Sequence, residues 1–428
     1  MRKLSLLGAV ALLAVAAGAV SAQQTTYGPE EYKDYQAAAN EKNLPTRIKL
    51  LDAFVAKHPQ STMLKPYILP LYLSTTSEAY QTKAYPVARD AADHFLAVPG
   101  LDETTRFQAM YLRTLSFHPD WDGSAGEKAA RANQVAKEAL GLIPSLVKPE
   151  NVPQGTWDEQ LMGPKILLNF TIGATAQSAK DYRAAAAAFG AALDLNPKDA
   201  ATSYRLGLVN LQMDPPQHMD GFWALARAIS LKVQGEAQVR AYLRSQVLRY
   251  QNTQCDKELD RQVNEMITLA SQSTTRQRPA DYTIPSDADL TKARENVGTF
   301  LETLKTGGPE ATRLWLAVCG LEFPEVAVKV IEVADNGEYT ILKVFRAPTP
   351  EEMEAATEAN MELKITEQPE AKRLKKDDFV RFTGTLADFQ PEPFLLSWNQ
   401  AKINPEDIPA EEAQPAKKPA KKRPGRGQ

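Results

Sequence analysis

Residues 165–197 read KILLNFTIGATAQSAKDYRAAAAAFGAALDLNP, with small residues, an aromatic and a closing proline placed as in a tight helical hairpin. Two antiparallel helices approach closely only where the facing side chains are small. Gly173, Ala185 and Ala192 take those places, Phe189 is left to fill the gap between successive hairpins, and Pro197 stops the second helix. The spacing then recurs. Leu206-Gly207 follows Ile172-Gly173 by 34 residues, and a fixed period of that length means stacked copies of one unit, each burying its apolar face against the next.

The pattern resembles the tetratricopeptide repeat (TPR). Ile172-Gly173 stands at its Leu-Gly pair, Ala185 and Phe189 at its Ala-x3-Phe, and Pro197 at its closing proline. In the second unit Leu206-Gly207 opens the match. There Met213-Asp214-Pro215-Pro216 lengthens the turn so that Gly221, Leu225 and Ala228 fall two residues late, or else Trp223 and Ala226 take the aromatic and small positions without any offset. The chain departs from the family where a tryptophan is usual, carrying Asn169 and Ser203, and where a tyrosine is usual, carrying Ala176 and Asn210. The resemblance is clearest over 165–230. It implies a curved right-handed superhelix whose concave face binds a peptide or a partner protein.

The first residues address the compartment. Arg2 and Lys3 precede a mainly apolar run from Leu4 to Val20, which ends in Val20-Ser21-Ala22 and then Gln23-Gln24-Thr25-Thr26, the three-part layout of a cleavable secretory signal. Cleavage is expected after Ala22, with no lipid-bearing cysteine behind it, giving an exported protein, periplasmic or secreted. No later stretch has the roughly 20 apolar residues that span a bilayer, so no transmembrane segment is expected in the mature chain. Likeness to Ala-rich exported solenoids implies a bacterial source. With 50 Lys and Arg against 53 Asp and Glu, the chain offers no broad positive field, which makes nucleic acid an unfavoured partner. Cys255 and Cys319 are an even pair in an exported chain, a disulfide candidate.

Helical patterning runs from Glu30 to about Arg276. Ile48, Leu51 and Phe54-Val55 form one stripe, Ala88, Ala92 and Phe95 another, and further helices are expected over 104–117, 127–142, 237–250 and 256–271, the last pair as a cap. The stretch 277–320 reads as a polar, proline-interrupted linker followed by a helix over 290–305 that ends at Gly307-Gly308. The period then turns to two. Val326, Val328 and Val330 alternate, Asp335-Asn336-Gly337 marks a hairpin turn, and strands follow over 339–345, 361–366, 379–386 and 394–403, with a helical segment at 369–376. Five strands so ordered resemble an OB-type barrel, a half-open sandwich being the rival. The expected organisation is a signal peptide over 1–22, a TPR-like helical-hairpin solenoid over 23–276, linker and capping helix over 277–320, a small all-β domain over 321–404 and a disordered basic tail over 405–428.

No catalytic, metal or cofactor constellation is expected. The four histidines, His58, His94, His118 and His218, lack ligand spacing, and there is no G-x-S-x-G elbow, CxxC or phosphate-cradling glycine loop. Asp120-Trp121-Asp122-Gly123 has half of a calcium loop but lacks the third oxygen ligand and the closing glutamate, so a plain inter-helix turn is expected. On the strands Phe379, Phe382, Phe389 and Trp398 would make a stacking platform if exposed; Phe382 shares a face with Val380 and is assigned to the core, and Trp398 is left open. The tail lysines and arginines, Lys417, Lys418, Lys421, Lys422, Arg423 and Arg426, would meet anionic envelope polymers. The expected function is a non-enzymatic protein- or peptide-binding scaffold with an accessory β-domain. Its rival is a ligand-binding protein whose barrel recognises oligosaccharide or single-stranded nucleic acid.

Overall fold

The computed structural model describes residues 27–272, 284–295 and 300–410. The leader, residues 277–283 of the expected linker and the tail beyond 410 lie outside them. The chain divides into two compact units, Met1–Leu243 with Val263–Thr283, and Arg244–Gln262 with Ile284–Gln428.

The first unit is a succession of helices, each packed on its neighbours in sequence: α1 (Pro29–Asn40), α2 (Leu44–Lys57), α3 (Leu69–Gln81), α4 (Tyr85–Ala97), α5 (Glu103–Leu115), α6 (Glu127–Leu142), α7 (Gln154–Ser178), α8 (Tyr182–Leu195), α9 (Ala200–Gln212) and α10 (His218–Ser230). Acidic and amide side chains start many of them. Asn43, Asp102, Asp181 and Asp199 each accept a hydrogen bond from a first-turn backbone N–H, satisfying donors that a helix cannot satisfy itself. Three helices end alike. Lys83, Lys180 and Lys232 take positive φ, and the next residue's N–H closes back on the carbonyl five residues before it, the Schellman termination that turns one helix into the next. Helix α7 runs through Pro164 and so starts before the repeat that begins at Lys165.

Two more helices, α11 (Glu236–Gln251) and α12 (Asp256–Gln272), are shared out between the units. Their joining turn, expected as part of a solenoid cap, belongs to the second unit. There Arg244 Nε pairs with Asp260 at 2.6 Å, and Thr253 Oγ1 donates to the Leu316 carbonyl at 2.7 Å.

The second unit continues with α13 (Asp287–Glu295), α14 (Phe300–Thr306) and α15 (Gly308–Val318), then β1 (Glu322–Asp335), β2 (Thr340–Phe345), α16 (Pro350–Ala355), β3 (Met361–Ile365), β4 (Phe379–Pro391) and β5 (Phe394–Ile403). The strands close into a barrel in the order β1-β2-β3-β5-β4, antiparallel except where β3 meets β5. A short 3₁₀ turn, Pro369–Arg373, separates β3 from β4. The barrel, not the sandwich, is therefore the fold, with the connectivity of an OB-type barrel. Alternation in β2 and β3 sends Leu342, Val344, Met361, Leu363 and Ile365 inward.

Two expectations are refined here. The expected capping helix and the described residues after it pack with the barrel: Leu290, Leu304, Leu314 and Trp315 join Val328, Leu342, Phe382 and Trp398 in one apolar core. The sequence hid this because α15 is short and follows Gly307-Gly308, which looks like an end rather than a beginning. Disorder does not begin at 405. Pro405–Asp407 forms a turn held by Arg381, whose guanidinium meets Asp407 at 3.0 Å, and Ile408 packs on the core.

Cys255 and Cys319 are joined by a disulfide, with Cα atoms 5.1 Å apart. Gly320 next to it has φ +78°, and a Cβ there would lie 2.9 Å from the Gln254 carbonyl oxygen, so this position needs glycine for both its conformation and its close approach.

Candidate functional site

The repeat residues meet as hairpin packing requires. A Cβ on Gly173 would fall 2.6 Å from the Phe189 ring, and one on Gly207 would fall 2.7 Å from Leu225. Ala185 and Ala192 are buried beside them, and Ile172, Leu206 and Ala228 are buried too. Pro197 lies just past the end of α8, as a stop should. Leu225, not Trp223, is thus the partner of Gly207, and Gly221 lies against the Gly207 carbonyl oxygen. These contacts follow the two-residue offset.

Trp223 is thereby released from the packing position, and it lines a cavity. Its walls are Ala186, Ala187, Leu193 and Pro197 of the α8 hairpin arm, Ser203, Leu206 and Asn210 of α9, and Asp220, Trp223, Ala224 and Arg227 of α10, around a volume of about 380 Å³. The α10 contribution is one helical stripe, at spacings of three and four. Ser203 and Asn210 are both buried in this lining, two small polar side chains that leave space where larger ones would close it.

Polar groups in the cavity differ in how they are satisfied. Ser203 Oγ donates to the Asp199 carbonyl at 2.8 Å. Arg227 is buried, donating to the carbonyls of Pro197 and Ala270, and desolvation holds its guanidinium below the ordinary value. Trp223 is only 7 % exposed, yet its indole Nε1–H has no acceptor among the described residues. A buried donor left unpaired costs about 1–3 kcal/mol, and the indole bears that cost here.

The barrel does not assemble the stacking platform. Phe382 and Trp398 are core residues in edge-to-face contact at 5.1 Å, Phe389 packs on Trp315 at 4.9 Å, and Phe379 is the one of the four that is exposed.

The histidines are spent on local contacts. His58 meets Asp34 at 2.9 Å and His94 meets Asp52 at 2.7 Å. Asp120 gives both carboxylate oxygens to Arg89, and Asp122 accepts from Ser124, the arrangement of an inter-helix turn. Among the described residues no group of three or more His, Cys, Asp or Glu is placed to hold a metal, and no helix is long and apolar enough to cross a membrane.

His118 is set between Phe117, Trp121 and Phe170, with Nε2 2.7 Å from Thr171 Oγ1. Thr171 spends its hydroxyl proton on Leu167, so its oxygen accepts from His118 Nε2–H. Desolvation, with Arg205 nearby, pulls the imidazole down to about 4. An unfolded histidine titrates near 6.5. Stability is therefore complete above that pH and falls as pH drops from about 6.5 to 4, where only the unfolded chain takes up the proton. Unfolding free energies from denaturant titrations at pH 7 and pH 4.5 should differ by up to about 3 kcal/mol from this group. His218, also depressed by burial, adds with the same sign. His118→Gln should flatten the slope, and an unchanged slope would refute the assignment.

The chain matches no family model and no curated protein.

Proposed function

We propose that this is an exported, non-enzymatic bacterial scaffold of the TPR type, periplasmic or secreted, that holds a peptide or partner protein through its helical-hairpin unit. The observation that carries the reading is the cavity between α8, α9 and α10, with the small polar Ser203 and Asn210 in its lining. A solenoid that only filled space would close that volume with larger side chains. The barrel acts in this reading as an accessory interaction module, and the basic tail beyond 410 as a weak contact for anionic envelope polymers, screened by salt. Recognition of oligosaccharide or single-stranded nucleic acid by the barrel is disfavoured, because three of the four aromatics it would need are spent on packing.

Site-specific photo-crosslinking in the full chain tests this. A benzophenone side chain at Met162 or Tyr67, both exposed in the helical unit, is expected to trap a discrete protein or peptide adduct in envelope preparations, and one at exposed Phe379 of the barrel is not. Adducts from Phe379 alone would reverse the assignment.

A further inference from the structure

We infer that helix α4 carries a binding site for a divalent first-row cation of the zinc type, with His94 Nε2 and Asp90 Oδ1 as its two protein ligands and Asp52 orienting the imidazole. The site is independent of the cavity between α8, α9 and α10 and of the peptide-binding reading.

Local structure sets the pair up. Asp90 and His94 stand four residues apart on α4, so both side chains leave the same face of the helix, the spacing at which helical ligand pairs hold zinc. His94 Nδ1 lies 2.7 Å from Asp52 Oδ2 on α2. An ionised carboxylate only accepts, so Nδ1 carries the proton. Asp52 is itself fixed from below, because its Oδ1 accepts the hydroxyl proton of the buried Tyr72 at 2.6 Å. A carboxylate placed this way fixes the tautomer of a histidine and makes its other nitrogen the better ligand.

The neutral ring is left with a bare lone pair on Nε2. That lone pair faces Asp90 Oδ1 at 3.6 Å, and among the described residues no other side chain holds the Asp90 carboxylate. Two acceptors thus oppose each other across a gap wider than the roughly 2.7–3.2 Å of an N–H···O bond. A cation between them satisfies both. Zinc sits about 2.0–2.1 Å from an imidazole nitrogen and about 2.0–2.2 Å from a carboxylate oxygen. Two such bonds spanning 3.6 Å open at about 120°, and closing the gap by about 0.2 Å makes the angle tetrahedral. The His94 and Asp90 side chains are 43 % and 62 % exposed, so an ion can enter and water can fill its remaining positions. Having two protein ligands rather than the four of a structural zinc site, the site exchanges its ion. Its nitrogen ligand favours zinc over magnesium, which takes oxygen ligands.

The probe is zinc chloride, titrated calorimetrically into the tag-free mature protein. One equivalent should bind saturably, and magnesium chloride should not displace it. His94→Gln should abolish binding, and Asp90→Asn should weaken it at least tenfold. Both side chains reach solvent, so the fold is not at stake. His58→Gln, at the other Asp-paired histidine, should leave the affinity unchanged. Asp52→Asn should weaken binding about tenfold or more. Long-range ¹H–¹⁵N spectra supply a readout that a purely structural role for Asp52 would not move: zinc should shift the His94 Nε2 signal with Nδ1 still protonated, and Asp52→Asn should release the ring from that tautomer.

Absence of saturable binding up to millimolar zinc overturns the inference, and so does binding that survives His94→Gln. Affinity unchanged by Asp90→Asn would reduce the site to a lone imidazole and overturn it equally. An unchanged affinity and tautomer in Asp52→Asn would overturn the orienting role.

Discussion

The double variant Cys255→Ser/Cys319→Ser is expected to lose about 4 kcal/mol of stability in the second unit, the value that chain entropy assigns to closing a loop of this length. The cysteines are 64 residues apart, and the bond ties the turn between α11 and α12 to the chain just before β1. Two further contacts among the described residues lie beside it. The Thr253 hydroxyl reaches the Leu316 carbonyl, and the backbone of Gly320 passes against Gln254. These neighbours are positioned by the same covalent link, so its loss should loosen them together. Denaturation followed through Trp315 and Trp398, which lie in that unit's core, is the measurement. A midpoint unchanged by the substitutions, or by dithiothreitol in the native protein, would show that the bond contributes no stability.

The elements that the sequence announced best are those where one local rule sufficed. The Gly173 hairpin follows from side-chain size, and the alternation of β2 and β3 from the two-residue period of a strand. Asp335-Asn336-Gly337 forms its hairpin because Asn336 Oδ1 accepts from Tyr339 N–H and Gly337 takes φ +90°. What escaped was non-local. Helix α15 carries Trp315 into the barrel core although nothing in its own residues names that destination. Trp398 could be assigned to neither face, because exposed and buried aromatics look alike on a strand until the register β3 to β5 is known. The cavity was harder still. Its walls come from three helices, with the small polar Ser203 and Asn210 among them, and Trp223 lies off the packing seam that Leu225 makes with Gly207.

The two-residue offset makes the two hairpins a matched pair of experiments. Phe189→Ala should cost about 3–5 kcal/mol, since the ring is fully buried and its removal leaves a void beside Gly173. Gly173→Ala alone should also destabilise. A mid-helix alanine normally gains up to about 1 kcal/mol over glycine, but here its Cβ would stand 2.6 Å from a ring with no room to retreat, and overpacking costs about 1–3 kcal/mol. In the Phe189→Ala background the clash is gone, so Gly173→Ala should change sign and stabilise. The second hairpin should respond differently. Leu225→Ala removes the side chain facing Gly207, yet the Gly221 carbonyl oxygen remains 3.1 Å from the added Cβ, and backbone does not yield as a side chain does. Gly207→Ala should therefore be rescued only in part. Urea unfolding of the two double-mutant cycles measures both couplings, and a Gly173→Ala variant more stable than the parent chain would show that Phe189 does not close this hairpin.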